Sequence, residues 1–229
     1  MPAAARPVLC YVTDRHLLGP DEDVRLAALS AAIRRAIAAG VDWIQIREKD
    51  LSGRRLSELV KDAVAAATGT STRIIVNDRL DIALGLGAAG VHLGEESAPV
   101  AEVIRWRSSD PAHRSFLVGA SCHSLAAAQQ AERDGADYIF FGPIFDTPGK
   151  RKFGPPQGLD RLSEVCRTVR IPVLAIGGIT LENSASCLRS GAAGLAAIRL
   201  FQESPDLSAA VPRLRSGFSP IRQGAIGRT

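Results

Sequence analysis

Eight short, almost wholly apolar runs punctuate this chain, and a longer amphipathic segment follows each of them. The runs are Val8–Thr13, Trp43–Arg47, Arg73–Asn77, Val91–Gly94, Phe116–Ser121, Tyr138–Gly142, Pro172–Gly177 and Leu195–Arg199. They are rich in Val, Ile, Leu and aromatic residues, as strands covered on both faces of a parallel sheet must be. The segments between them, among them Val24–Ala39, Leu56–Ala67, Leu125–Arg133 and Leu181–Leu188, carry helical patterns. Eight strand–helix pairs predict an α/β protein of one domain, a (β/α)8 TIM barrel with right-handed crossovers; a doubly wound open sheet is the alternative. The 229 residues suit one barrel, which typically takes about 250. The barrel is expected over residues 1–215, with 216–229, rich in Gly and Arg, as a tail.

An internal echo supports the count. Ala39-Gly-Val-Asp-Trp, Gly87-Ala-Ala-Gly-Val-His, Gly135-Ala-Asp-Tyr-Ile and Gly191-Ala-Ala-Gly-Leu each place a glycine at a helix end just before a strand. These sites precede strands two, four, six and eight, as in a fold of duplicated βαβα units. Gly85-Leu-Gly-Ala-Ala-Gly90 spells the dinucleotide-binding fingerprint, but in reverse context. That motif needs a strand before it and a helix after it. Here a helix precedes and a strand follows, so the glycines stop a helix.

Composition narrows the function. A net charge of +4, with no block of five or more like charges, lacks the concentrated basic face of a duplex-binding protein. Nucleic acid is therefore not expected as a partner. Cys10, Cys122, Cys166 and Cys187 form no C-x-x-C pair and read as reduced thiols. No apolar stretch reaches 18 residues, and no secretory h-region precedes the first strand. The expectation is a cytoplasmic protein with no membrane association.

In such a barrel, function gathers where strands end. Strand two ends Gln45-Ile-Arg47-Glu-Lys49-Asp, and a period of two puts Gln45, Arg47 and Lys49 on one face. That face is the interior if Ile44 and Ile46 meet the helices. A guanidinium fork beside an ammonium suits a pyrophosphate. Strand three ends Asn77-Asp78, which can meet a heterocycle edge or a divalent metal; composition alone favours reading Asp78 as the cap of the next helix. Strand four ends in Glu95 and Glu96, candidate further oxygen donors for magnesium. Strand five brings Ser121 and His123, the latter a candidate proton shuttle or a structural hydrogen-bond partner. After strand six comes a basic Gly/Pro-punctuated loop containing Thr147 and Lys150, which reads as a mobile lid or a phosphate clamp. Strand seven ends in Gly177-Gly178 and strand eight in Ile198-Arg199, which puts a fixed guanidinium on the last strand; the loops after these two strands form the usual phosphate site of these barrels.

Read in order, Tyr11-Val-Thr-Asp14, Gln45-x-Arg47-x-Lys49, Val91-His-Leu-Gly94, Gly135-Ala-Asp-Tyr, Phe141-Gly-Pro-Ile-Phe and Ala175-Ile-Gly-Gly-Ile179 resemble the thiamine phosphate synthase family and its close relative, thiazole tautomerase. The resemblance runs from Tyr11 to about Phe201. It implies a transferase joining hydroxymethylpyrimidine pyrophosphate to thiazole phosphate, with these small phosphorylated molecules as its partners and Mg²⁺ as cofactor. Gln45, Arg47, Lys49 and Asn77 would bind the pyrimidine pyrophosphate, Asp78 the metal, and Ser121 and Lys150 the pyrophosphate; Thr147 and Gly178 would hold the thiazole phosphate. Three departures stand out: Ser97 where the family usually has a second metal-binding aspartate, Gly149 for a threonine, and Arg199 for the serine closing strand eight. They keep two alternatives open: a metal-free tautomerase working through His123, and a non-catalytic phospho-ligand binder.

Overall fold

The computed structural model describes residues 6–147 and 155–216. Its eight parallel strands are β1 (Val8–Val12), β2 (Trp43–Ile46), β3 (Arg73–Asn77), β4 (Gly90–Leu93), β5 (Leu117–Cys122), β6 (Tyr138–Phe141), β7 (Val173–Ile176) and β8 (Gly194–Ala197). They hydrogen-bond in chain order, and β1 pairs with β8 to close the barrel. Closure excludes the open sheet. The outer ring is α1 (Glu22–Ala38), α2 (Gly53–Ala67), α3 (Leu80–Gly85), α4 (Val100–Ser108), α5 (Leu125–Arg133), α6 (Gly158–Thr168) and α7 (Ser184–Arg189), with α8 (Arg199–Gln202) and α9 (Leu207–Ser216) after β8. No helix among the described residues is long and apolar enough to cross a membrane.

Strand alternation builds two cores. Ile44, Ile46, Ile74, Val76, Val91 and Leu93 face outward into the core they share with helix residues such as Ile33, Leu56 and Val60. Each such buried aliphatic side chain contributes about 1.5–3 kcal/mol. Cys10, Val12, Tyr138, Phe140, Leu174 and Ala196 fill the barrel itself. Tyr138 fits there because its neighbour on β5 is Gly119, where a Cβ would lie 2.1 Å from the Tyr138 ring. The predicted helix-stop glycines, Gly40, Gly87, Gly135 and Gly191, all have positive φ.

Local capping explains where helices begin. Asp21 accepts from Val24 N at 2.9 Å to open α1, and Ser124 accepts from Ala127 N at 3.1 Å to open α5. Helix α7 starts at Ser184 rather than Leu181, because Thr180 and Asn183 hydrogen-bond reciprocally and hold 180–183 as a turn. The last strand also ends earlier than its apolar run. At Ile198 the backbone turns helical (φ −94°, ψ −75°), so β8 stops at Ala197 and Arg199 opens α8. The tail expected from residue 216 lies, but for Ser216 at the end of α9, outside the described residues.

Candidate active site

The alternation of β2 points Gln45 into the barrel mouth, where it is buried. Its Nε2 donates to Asn77 Oδ1 at 2.9 Å, and Asn77 Nδ2 donates to Asp78 Oδ2 at 2.6 Å. A polar chain thus runs across the ends of β2 and β3. Lys49 Nζ lies 4.0 Å from Asp78 Oδ2. Arg47, between Gln45 and Lys49 in the alternation, is held through its N–H by Thr13 Oγ1 at 2.9 Å. A cavity of about 230 Å³ opens here, lined by Lys49, Leu56, Asn77, Asp78 and Arg79 among others. A larger groove, about 330 Å³, lies between α1 and α2 beside Asp23, Arg55 and Asp62, away from the strand ends.

Asp78 is no helix cap. Arg79 occupies the cap position of α3, and no side chain caps that helix. Asp78 instead has φ +61°, the one described non-glycine residue in the left-handed region, a conformation that is strained and concentrates at functional sites. Its carboxylate accepts from Asn77, from Gly94 N at 3.3 Å and from the Ser97 hydroxyl. Glu95 and Glu96 are exposed in the turn after β4, and the residue of that turn which reaches Asp78 is Ser97. Among the described residues, no cluster of three His, Cys, Asp or Glu side chains is placed to hold a metal.

One buried residue at the site escaped the reading of the sequence. His92 pairs in register with Asn77 and points into the barrel, where its imidazole meets Tyr138 OH at 3.2 Å and Ser121 Oγ at 2.9 Å and packs on Phe140. Burial pushes its pKa down to about 3; Asp78 opposes the shift and Arg47 adds to it. The imidazole is therefore neutral at physiological pH and orients Ser121. The clue was the phase of Val91-His92-Leu93, which turns the polar residue inward between two outward apolar ones.

Around the mouth, His123 Nδ1 donates to the Gly142 carbonyl, which fixes the tautomer and leaves Nε2 as its other ring nitrogen. The segment after β6 packs on β7: Ile144 N donates to Ile176 O at 2.9 Å and Phe145 N to Gly177 O at 3.0 Å. Thr147 stands two residues further on, bonded to Phe145 O at 3.2 Å. Gly177 and Gly178 have φ of +95° and +67°. A Cβ on Gly178 would sit 2.7 Å from Phe145 Cβ, so only glycine lets this backbone close on the Thr147 segment. Ile198 packs against the inner core. Arg199, expected as a fixed guanidinium on the last strand, is instead exposed on α8 with Nε 3.4 Å from Glu203. The early turn of the chain at Ile198 put it there. Lys150 and Gly149 lie outside the described residues.

Gln45, Asn77 and Ser121 lie toward the C-terminal ends of their strands, Thr147 and Gly178 lie in the segments that follow β6 and β7, and Arg199 opens the helix after β8. The family model described as thiamine monophosphate synthase matches residues 9–201. A thiamine-phosphate synthase of Roseiflexus castenholzii is 39% identical over 211 residues, 92% of this chain and 88% of that protein. One from Methanoculleus marisnigri is 42% identical over 189 residues, 82% of this chain and 87% of its own. The solved thiamine phosphate pyrophosphorylase of Pyrococcus furiosus superposes with a TM-score of 0.76 at 32% identity, covering 92% of this chain and 95% of that one. With a family model spanning the C-terminal ends of all eight strands, this chain belongs to the thiamine monophosphate synthase family.

Proposed function

We propose that this chain couples a hydroxymethylpyrimidine pyrophosphate to a thiazole phosphate, giving thiamine phosphate and pyrophosphate. The carrying observation is the Gln45–Asn77–Asp78 chain with Lys49 beside it, at the same barrel mouth as the Gly177-Gly178 backbone that follows β7. The Gln45–Asn77 bond uses one acceptor and one donor of the two amides. Gln45 Oε1 and an Asn77 N–H remain to read the donor–acceptor edge of an aminopyrimidine. Arg47, Lys49, Ser121 and Lys150 take the pyrophosphate; Thr147, the Gly177-Gly178 backbone, Ile198 and Arg199 surround the thiazole phosphate.

In the reaction, the methylene C–O bond breaks with its electron pair leaving on the pyrophosphate. The thiazole nitrogen then donates its lone pair to the methylene carbon and forms the C–N bond. The reaction asks the protein for placement and for neutralisation of the leaving group, which Arg47, Lys49 and Lys150 provide. The oxygen-rich corner of Asp78 and Ser97 fits Mg²⁺, which is commonly held by one or two carboxylates plus substrate phosphates. When bound there, the ion supplies further positive charge to the pyrophosphate.

An Asp78→Asn variant tests this reading. Coupling activity should fall about a hundredfold, the scale of losing one charge-stabilising group, while thiazole phosphate still binds. His123→Gln should leave coupling nearly intact. The tautomerase reading draws on the fixed tautomer of His123. It takes over if Asp78→Asn is harmless and His123→Gln abolishes a metal-independent proton exchange. A barrel that binds both phosphates and catalyses neither reaction would leave the non-catalytic binder.

A further inference from the structure

The motif Tyr11-Val-Thr-Asp14 and the residue after it, Arg15, have no part in the chemistry above, yet Arg15 is one of the most buried charged residues in the protein. It opens a single 3-10 turn, Arg15–Leu17, just after β1. Its guanidinium forks onto Asp50, with Nη1 2.6 Å from Oδ1 and Nη2 2.7 Å from Oδ2. The same Nη1 reaches Glu48 Oε2 at 3.2 Å, the Arg15 N–H donates to that oxygen at 3.2 Å, and Nε donates to Glu22 at 3.1 Å. The Glu48 side chain is 1% exposed. A buried carboxylate without a partner would be strongly destabilising, so the Arg15–Glu48 pairing is tightly constrained.

The placement of these carboxylates gives the cluster its meaning. From Gln45 onward the chain alternates. Gln45, Arg47 and Lys49 belong to the anion-binding set, and Glu48 and Asp50, in the other phase, go to Arg15. Thr13 completes the grip: its N–H donates to Gln45 O at 3.0 Å and its Oγ1 accepts from Arg47 N at 2.9 Å. Both cationic side chains of the β2–α2 loop thus stand on backbone held from behind by the segment after β1.

We infer that Arg15 is a positioning residue, which through Glu48 and Asp50 sets Arg47 and Lys49 to receive a pyrophosphate. The inference rests on the site reading proposed above. A fork onto a carboxylate fixes direction as well as distance, which an ammonium cannot do. Arg15→Lys should therefore keep the charge but lose the aim.

The test measures binding of inorganic pyrophosphate by titration calorimetry, with amide hydrogen exchange of residues 46–51 alongside. Arg15→Lys should weaken pyrophosphate about tenfold, as removal of an orienting partner does. It should also speed exchange in 46–51 while the strands stay protected. A double-mutant cycle separates aim from bulk stability: if Arg15 acts through Lys49, Arg15→Lys and Lys49→Ala will be less than additive in pyrophosphate affinity. Asp50 is half-exposed, so Asp50→Asn supplies a gentler variant should Arg15→Lys fail to fold, with about a threefold loss expected. Full additivity, or unchanged affinity in both Arg15→Lys and Asp50→Asn, overturns the inference and leaves the site reading standing. If the unaltered protein fails to bind pyrophosphate, the site reading falls first and the inference with it.

Discussion

Acidifying the protein should expose the buried imidazole of His92 as a stability liability. In the folded chain its pKa is held near 3 because burial disfavours the imidazolium, whereas in the unfolded chain it returns to about 6.5. Below that value the unfolded state binds a proton that the folded state refuses. This stabilising term is fully present above about pH 6.5 and is lost progressively as pH falls toward the folded value. Between pH 7 and 4.5 one such group removes about 2.5 kcal/mol. That figure is set almost wholly by the unfolded pKa, since at pH 4.5 the folded imidazole is still neutral. A His92→Gln variant lacks the group. It loses the Ser121 and Tyr138 contacts and starts from a lower stability, but that deficit does not vary with pH. Urea unfolding of both proteins at half-unit pH steps isolates the term, because all other titrating groups cancel in the difference. The gap should narrow by about 2.5 kcal/mol on going from pH 7 to 4.5. Parallel stability curves would show that His92 takes up its proton in the fold, and the neutral imidazole bridging Tyr138 and Ser121 would have to be abandoned.

Two smaller changes probe the barrel and its rim. Gly119→Ala drives a methyl group to 2.1 Å from the Tyr138 ring; it should reduce unfolding free energy by about 1–3 kcal/mol, read from urea midpoints, because the packed interior has little room to shift. Arg199→Ser should weaken thiazole phosphate binding in calorimetry. Its exposed pairing with Glu203 means that stability should move by under about 0.5 kcal/mol, and an unchanged affinity would remove Arg199 from the site.

Much of the fold was legible because parallel strands are covered on both faces, so each wrote an unbroken apolar run that local reading detects. The ends were harder. Leu195–Arg199 continues apolar past the point where Ile198 leaves the extended conformation, and nothing in the side chains marks that turn. The same contrast holds in the site. Gln45, Arg47 and Lys49 were readable as one set because they share a strand's period. Glu48 and Asp50 carry equal information in the opposite phase, but their partner stands 33 and 35 residues upstream on another strand's loop. A pairing at that separation is created by the barrel and leaves no local periodicity. Asp78 was open between cap and ligand for a related reason: the choice depends on a positive φ and on Ser97, nineteen residues away.

Ser97 bears on how the site handles charge before substrate arrives. A second carboxylate at position 97 would stand against Asp78 and would call for a cation or a proton to hold the two together. The serine removes that repulsion and supplies a donor. Its hydroxyl gives a hydrogen bond to Asp78 Oδ1 and accepts one from Gly94 N at 2.7 Å, while Asn77 donates to Oδ2 and Lys49 stands 4.0 Å away. Asp78 thus accepts from three of the protein's own donors, with Lys49 beside it. A hydroxyl can also rotate to present a lone pair instead of its proton. The same corner can then turn from donor to oxygen ligand when the negative charge to be balanced is that of an incoming pyrophosphate. Under the function proposed above, demand for a divalent ion would thus be tied to the substrate rather than to the resting protein, with one carboxylate and one hydroxyl as its protein ligands.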